Sequence, residues 1–222
     1  MLIPNEDIIP ITYASGTGGN FLCHFIVRAS RKSNITLKLS NNGNAHRGLK
    51  DIEGSSLGTI KPDIEKIDHL LSTLPNSGSI KPYYTVAHIS DIELVNKYFK
   101  KSIRITYDVN DVEELSYVFF GKWFVDDSKK ENVISNTISS SKLHVYRWIG
   151  KFNNINDMPN ILFVSWKELY KGNIEELIHK ISNFTQIDPT SFSADDLMQW
   201  RNATYKCIET YSKQEKLISI GN

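Results

Sequence analysis

The hydrophobic pattern of this chain changes period at a cluster of glycines. From Ile8 to Ala14 the stretch "IIPITYA" runs almost continuously apolar, as a buried strand does; from Gly19 onward Phe21, Leu22, Phe25 and Ile26 recur at helical spacing. Between them, "SGTGG" lets the backbone turn tightly. The unit is strand, glycine turn, helix, and the rest of the chain repeats its form. "YYTVAHIS" (Tyr83 to Ser90), "SIRITYD" (Ser102 to Asp108) and "NILFVSW" (Asn160 to Trp166) read as further strands. "DIELVNKYFKK", Asp111 to Trp123, His144 to Phe152, and the stripe Ile174, Leu177, Ile178, Ile181 and Phe184 read as helices. Such alternation predicts an α/β fold with a mostly parallel sheet, whose right-handed crossovers gather the ligand loops at the carboxyl ends of the strands. The glycine turn lies at such an end.

Other segments are less regular. "NITLKLS" (Asn34 to Ser40) alternates like a second strand, residues 41–62 are polar and glycine-rich and read as a long loop, Ile64 to Leu74 reads as a helix, and Asp126 to Ser141 is a charged, serine-rich interruption. No repeat or low-complexity tract divides the chain, so one domain over residues 1–222 is expected, with 40% hydrophobic residues to fill its core. A formal charge of +1 gives no bulk attraction to nucleic acid. The two cysteines, Cys23 and Cys207, form no CxxC pair and read as packed free thiols of a reducing compartment. "MLIPNEDIIP" lacks the pattern of a secretion signal, and no run approaches the roughly 20 apolar residues of a membrane span. A soluble, intracellular and most simply cytoplasmic protein is expected.

The turn has its own chemistry. Gly16, Gly18 and Gly19 let backbone N–H groups approach an anion, and the following helix adds its unpaired first-turn amides and the positive end of its dipole. Plain packing of strand against helix is the other reading, since "GTGGNF" matches neither the GxxxxGK[ST] nor the GxGxxG pattern. No HExxH, zinc-spaced Cys/His set or EF-hand loop occurs, so no metal is expected.

Three further segments fall in the order and context of the sulfotransferase family. "YYTVAHISDIELVNKYFKKSIRITYDVNDVEELSYVFF" resembles its middle section: a strand ending in histidine, a short helix, a strand, then a helix carrying a serine. "NILFVSWKELYKGNIEELIHKISNFTQI" resembles its later strand, acidic turn and amphipathic helix, and "QWRNATY" is similar to a Trp-basic-Asn stretch near its carboxyl end. With the glycine turn, the resemblance covers about Ile9 to Tyr205. It implies a three-layer, P-loop NTPase-like fold with helices on both faces of the sheet. It also implies transfer of a sulfuryl group from 3′-phosphoadenosine 5′-phosphosulfate (PAPS) to a hydroxyl or amine acceptor. By the same resemblance, Gly16, Thr17, Gly18, Gly19, Asn20 and Phe21 form the 5′-phosphosulfate loop, with Phe21 and Trp166 against the adenine, Ser116 on the 3′-phosphate and His88 as the base. Each has a plainer reading: a structural strand-end histidine for His88, a helix serine bonding back to its own turn for Ser116, core aromatics for Phe21 and Trp166.

The chain departs from the family at its cations. The lysine of the phosphosulfate loop is absent from "ASGTGGNF", Asp108 stands where the family has an arginine, and "SFSADDLM" carries two aspartates where a basic loop is expected. Charge-assisted bonds are about twice as strong as neutral ones, so these losses weaken nucleotide binding unless other groups replace them. Candidates are His46, Arg47, Lys50 and Arg201; Arg28 lies too far along its helix, and Lys100, Lys101 and Arg104 sit toward the start of a strand, the wrong end. The alternatives to a sulfotransferase are a nucleotide-binding or scaffold protein of the same fold that has lost turnover, and, last, an ATP-dependent phosphotransferase, which needs the Walker lysine that this turn lacks.

Overall fold

β1 (Ile8–Thr12) is the middle strand of the sheet, and all five of its residues are buried. The computed structural model describes residues 6–14, 16–31, 37, 39, 45, 55–60, 82–123, 131–153 and 158–220. β1 pairs in parallel with β3 (Tyr83–Ala87) on one side and β4 (Ser102–Thr106) on the other; β2 (Ser55–Ile60) lies beyond β3 and β5 (Ile161–Ser165) beyond β4. The order is β2-β3-β1-β4-β5, parallel throughout. Register levels Thr12 with both Ala87 and Arg104, so β1 and β3 end side by side and His88 begins the loop beside Tyr13.

Helices cover both faces because the strands are apolar on both. Ile9 and Ile11 share a core with Phe21, Leu22, Phe25 and Ile26 of α1 (Gly19–Arg31). Ile8, whose side chain points to the opposite face, clusters with Val95 and Tyr98 of α2 (Ile92–Tyr98) and with Phe99. α3 (Val112–Trp123) and α4 (Glu131–Phe152) pack on each other, and α4 reaches β4. The short α5 (Trp166–Lys171) follows β5 directly; α6 (Ile174–Thr185) comes next, and the long α7 (Ala194–Ile220) packs on α3 and touches α1, α4 and α5. No helix among the described residues is long and apolar enough to cross a membrane. Cys23 and Cys207 are both buried free thiols.

The α/β architecture with a parallel sheet agrees with the sequence pattern, but four segments differ from it. The strand β2 falls inside the stretch 41–62 that reads as a loop. Among the described residues it pairs with β3 alone and with a register shift, and an edge position tolerates the Ser, Gly and Thr that hide a strand from a periodicity reading. Of residues 34–40 only Leu37 and Leu39 are described, and neither lies in a strand; the helix expected at Ile64 to Leu74 is outside the described residues. α4 begins at Glu131, well inside the serine-rich interruption, because Ser141 is buried in a stripe with Ile138, Val145, Ile149 and Phe152. Trp166 is the first residue of a helix rather than the end of a strand. Ser165 caps that helix, its hydroxyl accepting from Glu168 N–H while the Glu168 carboxylate accepts from Ser165 N–H.

Candidate functional site

The glycine turn is built from the inside. Gly16 and Gly18 both have φ of 91°, a left-handed conformation that glycine adopts without strain. Gly19 is required for another reason: a Cβ there would stand 2.2 Å from the Tyr13 ring. At Gly18 it would stand 2.8 Å from Cζ2 of Trp200. The Thr17 hydroxyl donates to the Ala14 carbonyl at 2.5 Å and accepts from the Tyr107 hydroxyl at 2.5 Å, while Tyr107 in turn accepts Ala14 N–H at 2.8 Å. The Asn20 side-chain carbonyl accepts from the Tyr13 hydroxyl at 2.7 Å. Burial raises both phenols far above the ordinary tyrosine range, so they stay protonated as donors. Thr17 and Asn20 therefore turn inward and hold the loop. Any anion at this loop would meet backbone only, at the first-turn amides of α1 that have no acceptor within the helix.

His88 sits beside this turn. Its Nδ1 lies 3.0 Å from the carbonyl oxygen of Tyr13, and its ring tilts against the Tyr13 ring at 4.5 Å between centroids. A carbonyl only accepts, so Nδ1 carries the proton and Nε2 is the basic nitrogen of the neutral ring. His88 also lines a pocket of about 140 Å³ at the carboxyl ends of β1 and β3. Tyr13 and Ser90 belong to the same wall, and Trp148, Lys151 and Phe152 from the end of α4 close the other.

Arg104 stands behind that second wall, where the sequence did not point. It is the middle residue of β4 and fully buried, and the register that levels it with Thr12 carries it to the same end of the sheet as His88. Its Nε donates to Phe152 O at 3.1 Å, and its Nη2 to Ser90 O at 2.8 Å and Lys151 O at 3.2 Å. The guanidinium lies over the Phe152 ring at 4.9 Å, and Nη1 is buried with no hydrogen-bond partner among the described residues. The expectation that Arg104 lies at the wrong end of its strand is thus corrected. β4 is offset relative to β1, and that offset has no signature in the sequence.

The remaining candidates are not gathered into one slot. Phe21 is buried and its ring stacks on Trp200 at 4.8 Å and 9°, so an aromatic of the protein already occupies that face. Trp166 is fully buried against Tyr170, 4.9 Å between ring centroids, with Nε1 unpartnered. The Ser116 hydroxyl, also fully buried, donates to the Glu113 carbonyl at 2.6 Å, back into its own helix. Asp108 caps the turn before α3, accepting from Asn110 N–H at 2.8 Å, which gives its carboxylate a structural use.

The alternative cations are engaged as well. Arg201 donates to the carbonyls of Leu169 and Glu168 at the end of α5, at 2.9 and 3.0 Å. Arg28 pairs with Asp196, Lys100 with Glu6, and Lys101 reaches Phe184 O at 3.4 Å. His46, Arg47 and Lys50 lie outside the described residues. No group of three or more His, Cys, Asp or Glu among the described residues is arranged to hold a metal. PAPS therefore fits this chain in part: the first-turn amides and His88 suit its reactive end, whereas Phe21, Trp166 and Ser116 are committed to packing or to their own helix. No protein-family model and no curated protein matches the sequence.

Proposed function

We propose that the chain is a sulfotransferase-like protein that passes a sulfuryl group from PAPS to a hydroxyl or amine acceptor, with His88 as its general base. The observation that carries this reading is the bond from His88 Nδ1 to the Tyr13 carbonyl, which leaves Nε2 basic in a ring that faces a pocket beside the glycine turn. Support also comes from the order of the three motifs and from the parallel sheet whose strand ends hold both features.

In this reading PAPS supplies the sulfuryl group. His88 Nε2 takes the proton of the acceptor as the acceptor's oxygen or nitrogen turns nucleophilic, which is within the reach of an imidazole base. The amides of Gly18, Gly19 and Asn20 at the start of α1 favour negative charge on the departing phosphate side. The Tyr13 carbonyl fixes the ring and its tautomer, the task of an orienting group in any such base.

The test is thermal stabilisation by adenosine 3′,5′-bisphosphate compared with AMP and ATP, since a ligand that binds only the native state raises its stability. A larger shift with the bisphosphate is expected. The second reading, a protein of this fold without turnover, is favoured by the stacking of Phe21 under Trp200 and the inward bond of Ser116. Equal shifts from the bisphosphate and AMP support it.

A further inference from the structure

The pocket beside His88 has a size and a charge that select a ligand. Its volume of about 140 Å³ is less than half of an ordinary small-molecule site, and close to the roughly 150 Å³ cavity that holds one benzene ring. A single ring matches that volume, and a whole nucleotide would extend beyond it. Tyr13, Trp148 and Phe152 supply aromatic surface for such a ring.

The polar groups around it are basic. Lys151 and His88 line the pocket, and none of the described lining residues carries a carboxylate. Behind the wall, Arg104 spends its Nε and Nη2 donors on the backbone of Phe152, Lys151 and Ser90, which are themselves lining residues, while Nη1 is buried without a partner among the described residues. Arg104 does not itself line the pocket, but its guanidinium charge behind that wall favours negative charge on the pocket side. Asp91, whose charge acts on Arg104, turns its carboxylate to the amides of Glu93 and Leu94, both at 3.0 Å, as the cap of α2. Asp91 is thus the counter-charge to Arg104, while no described lining residue sets a carboxylate against Lys151.

We propose that this pocket binds a small aromatic anion, one six-membered ring bearing a carboxylate, with the ring among Tyr13, Trp148 and Phe152 and the carboxylate toward Lys151, within the field of the Arg104 charge behind the wall. If the ring also carries a hydroxyl, the pocket would present it to His88. That use as the acceptor site rests on the sulfuryl-transfer reading, whereas the binding itself does not.

Binding is therefore measured with no nucleotide present, by calorimetry on the whole chain, with four probes: 4-hydroxybenzoate, benzoate, 4-hydroxybenzyl alcohol and benzylamine. The two carboxylates should bind about tenfold or more tighter than the neutral alcohol, benzylamine should bind weakest, and added salt should weaken the carboxylates. Lys151→Gln, at an exposed position, should lower carboxylate affinity about fivefold and leave the alcohol unchanged. Arg104→Met should lower it further, provided circular dichroism shows the variant folded; Lys151→Gln carries the test if it does not. Equal affinity for carboxylate and alcohol, preference for benzylamine, or no binding of any probe overturns the proposal. A sulfation assay with 4-hydroxybenzoate and PAPS then stands apart: binding without turnover retains the pocket and removes its catalytic use.

Discussion

Trp200 lies flat on Phe21, 4.8 Å between ring centroids and 9° from parallel, and the same indole fills the space where Gly18 has no side chain. One residue of the last helix thus fixes both the first turn of α1 and the glycine loop that leads into it. Trp200 is almost wholly buried, so Trp200→Ala removes a large aromatic contact and opens a cavity beneath the loop. The expected loss is about 3–5 kcal/mol, read from urea unfolding followed by circular dichroism. A loss below about 1 kcal/mol would show that α7 does not hold the loop.

Glycines in this chain should separate sharply under substitution by alanine. At Gly19 the new methyl would stand 2.2 Å from the Tyr13 ring, which is buried and tied through its hydroxyl to Asn20. Gly19→Ala should therefore cost about 3 kcal/mol or more by overpacking. At Gly150, in α4, nothing lies within 4 Å of the added methyl, so Gly150→Ala should stabilise by about 0.5–1 kcal/mol through helix propensity and unfolded-state entropy. Thermal melts of the two variants side by side are the check.

The parts of the fold legible in the sequence are those where one residue type dominates a face. β1 and α1 announced themselves through Ile8, Ile9, Ile11 and the stripe from Phe21 to Ile26. β2 did not, since an edge strand can be written in Ser, Gly and Thr. The start of α4 is hidden in the pattern because Ser141 packs like an apolar residue within its stripe. α7 is hidden because its buried line of Leu197, Trp200, Thr204 and Cys207 is diluted by polar neighbours over a long helix. In the site, His88 was visible as a strand-end histidine. Arg104 was not, because its place depends on the stagger of two strands: the middle residue of β4 lies level with the last of β1. Its one sequence signal was a cation in the centre of "SIRIT".

His24 sets an acid limit on stability. It is fully buried on α1, and neither ring nitrogen has a hydrogen-bond partner among the described residues. Burial lowers its pKa; Asp196 opposes the shift and Arg28 reinforces it. The unfolded chain titrates this imidazole near its ordinary value, so below about pH 6.5 the unfolded state takes up a proton that the folded state resists. The stability involved is fully present above about pH 6.5 and declines as pH falls toward the lowered folded pKa, at up to about 1.4 kcal/mol per pH unit. His24→Leu should flatten that decline between about pH 7 and pH 5.5 while leaving neutral-pH stability unchanged or improved. Urea midpoints of both proteins across the range decide it: parallel curves would assign the acid loss to other groups.

His88 is where binding and chemistry can be told apart. Its Nδ1 is held by the Tyr13 carbonyl at 3.0 Å, and the proposed base is the other nitrogen. Asparagine can place an N–H donor close to the position of Nδ1, so His88→Asn keeps the contact with Tyr13 and removes only Nε2. Turnover of PAPS with an acceptor should then drop by about 10²–10⁴-fold, the usual worth of a general base. Affinity for adenosine 3′,5′-bisphosphate should stay within about twofold, because a group that acts on the acceptor's proton contributes to the transition state and little to nucleotide binding. His88→Ala should lose turnover to a similar degree and some stability as well, since it leaves the Tyr13 carbonyl without this donor. Turnover of His88→Asn near that of the unsubstituted protein would leave the histidine the structural task of closing the loop after β3 onto the end of β1.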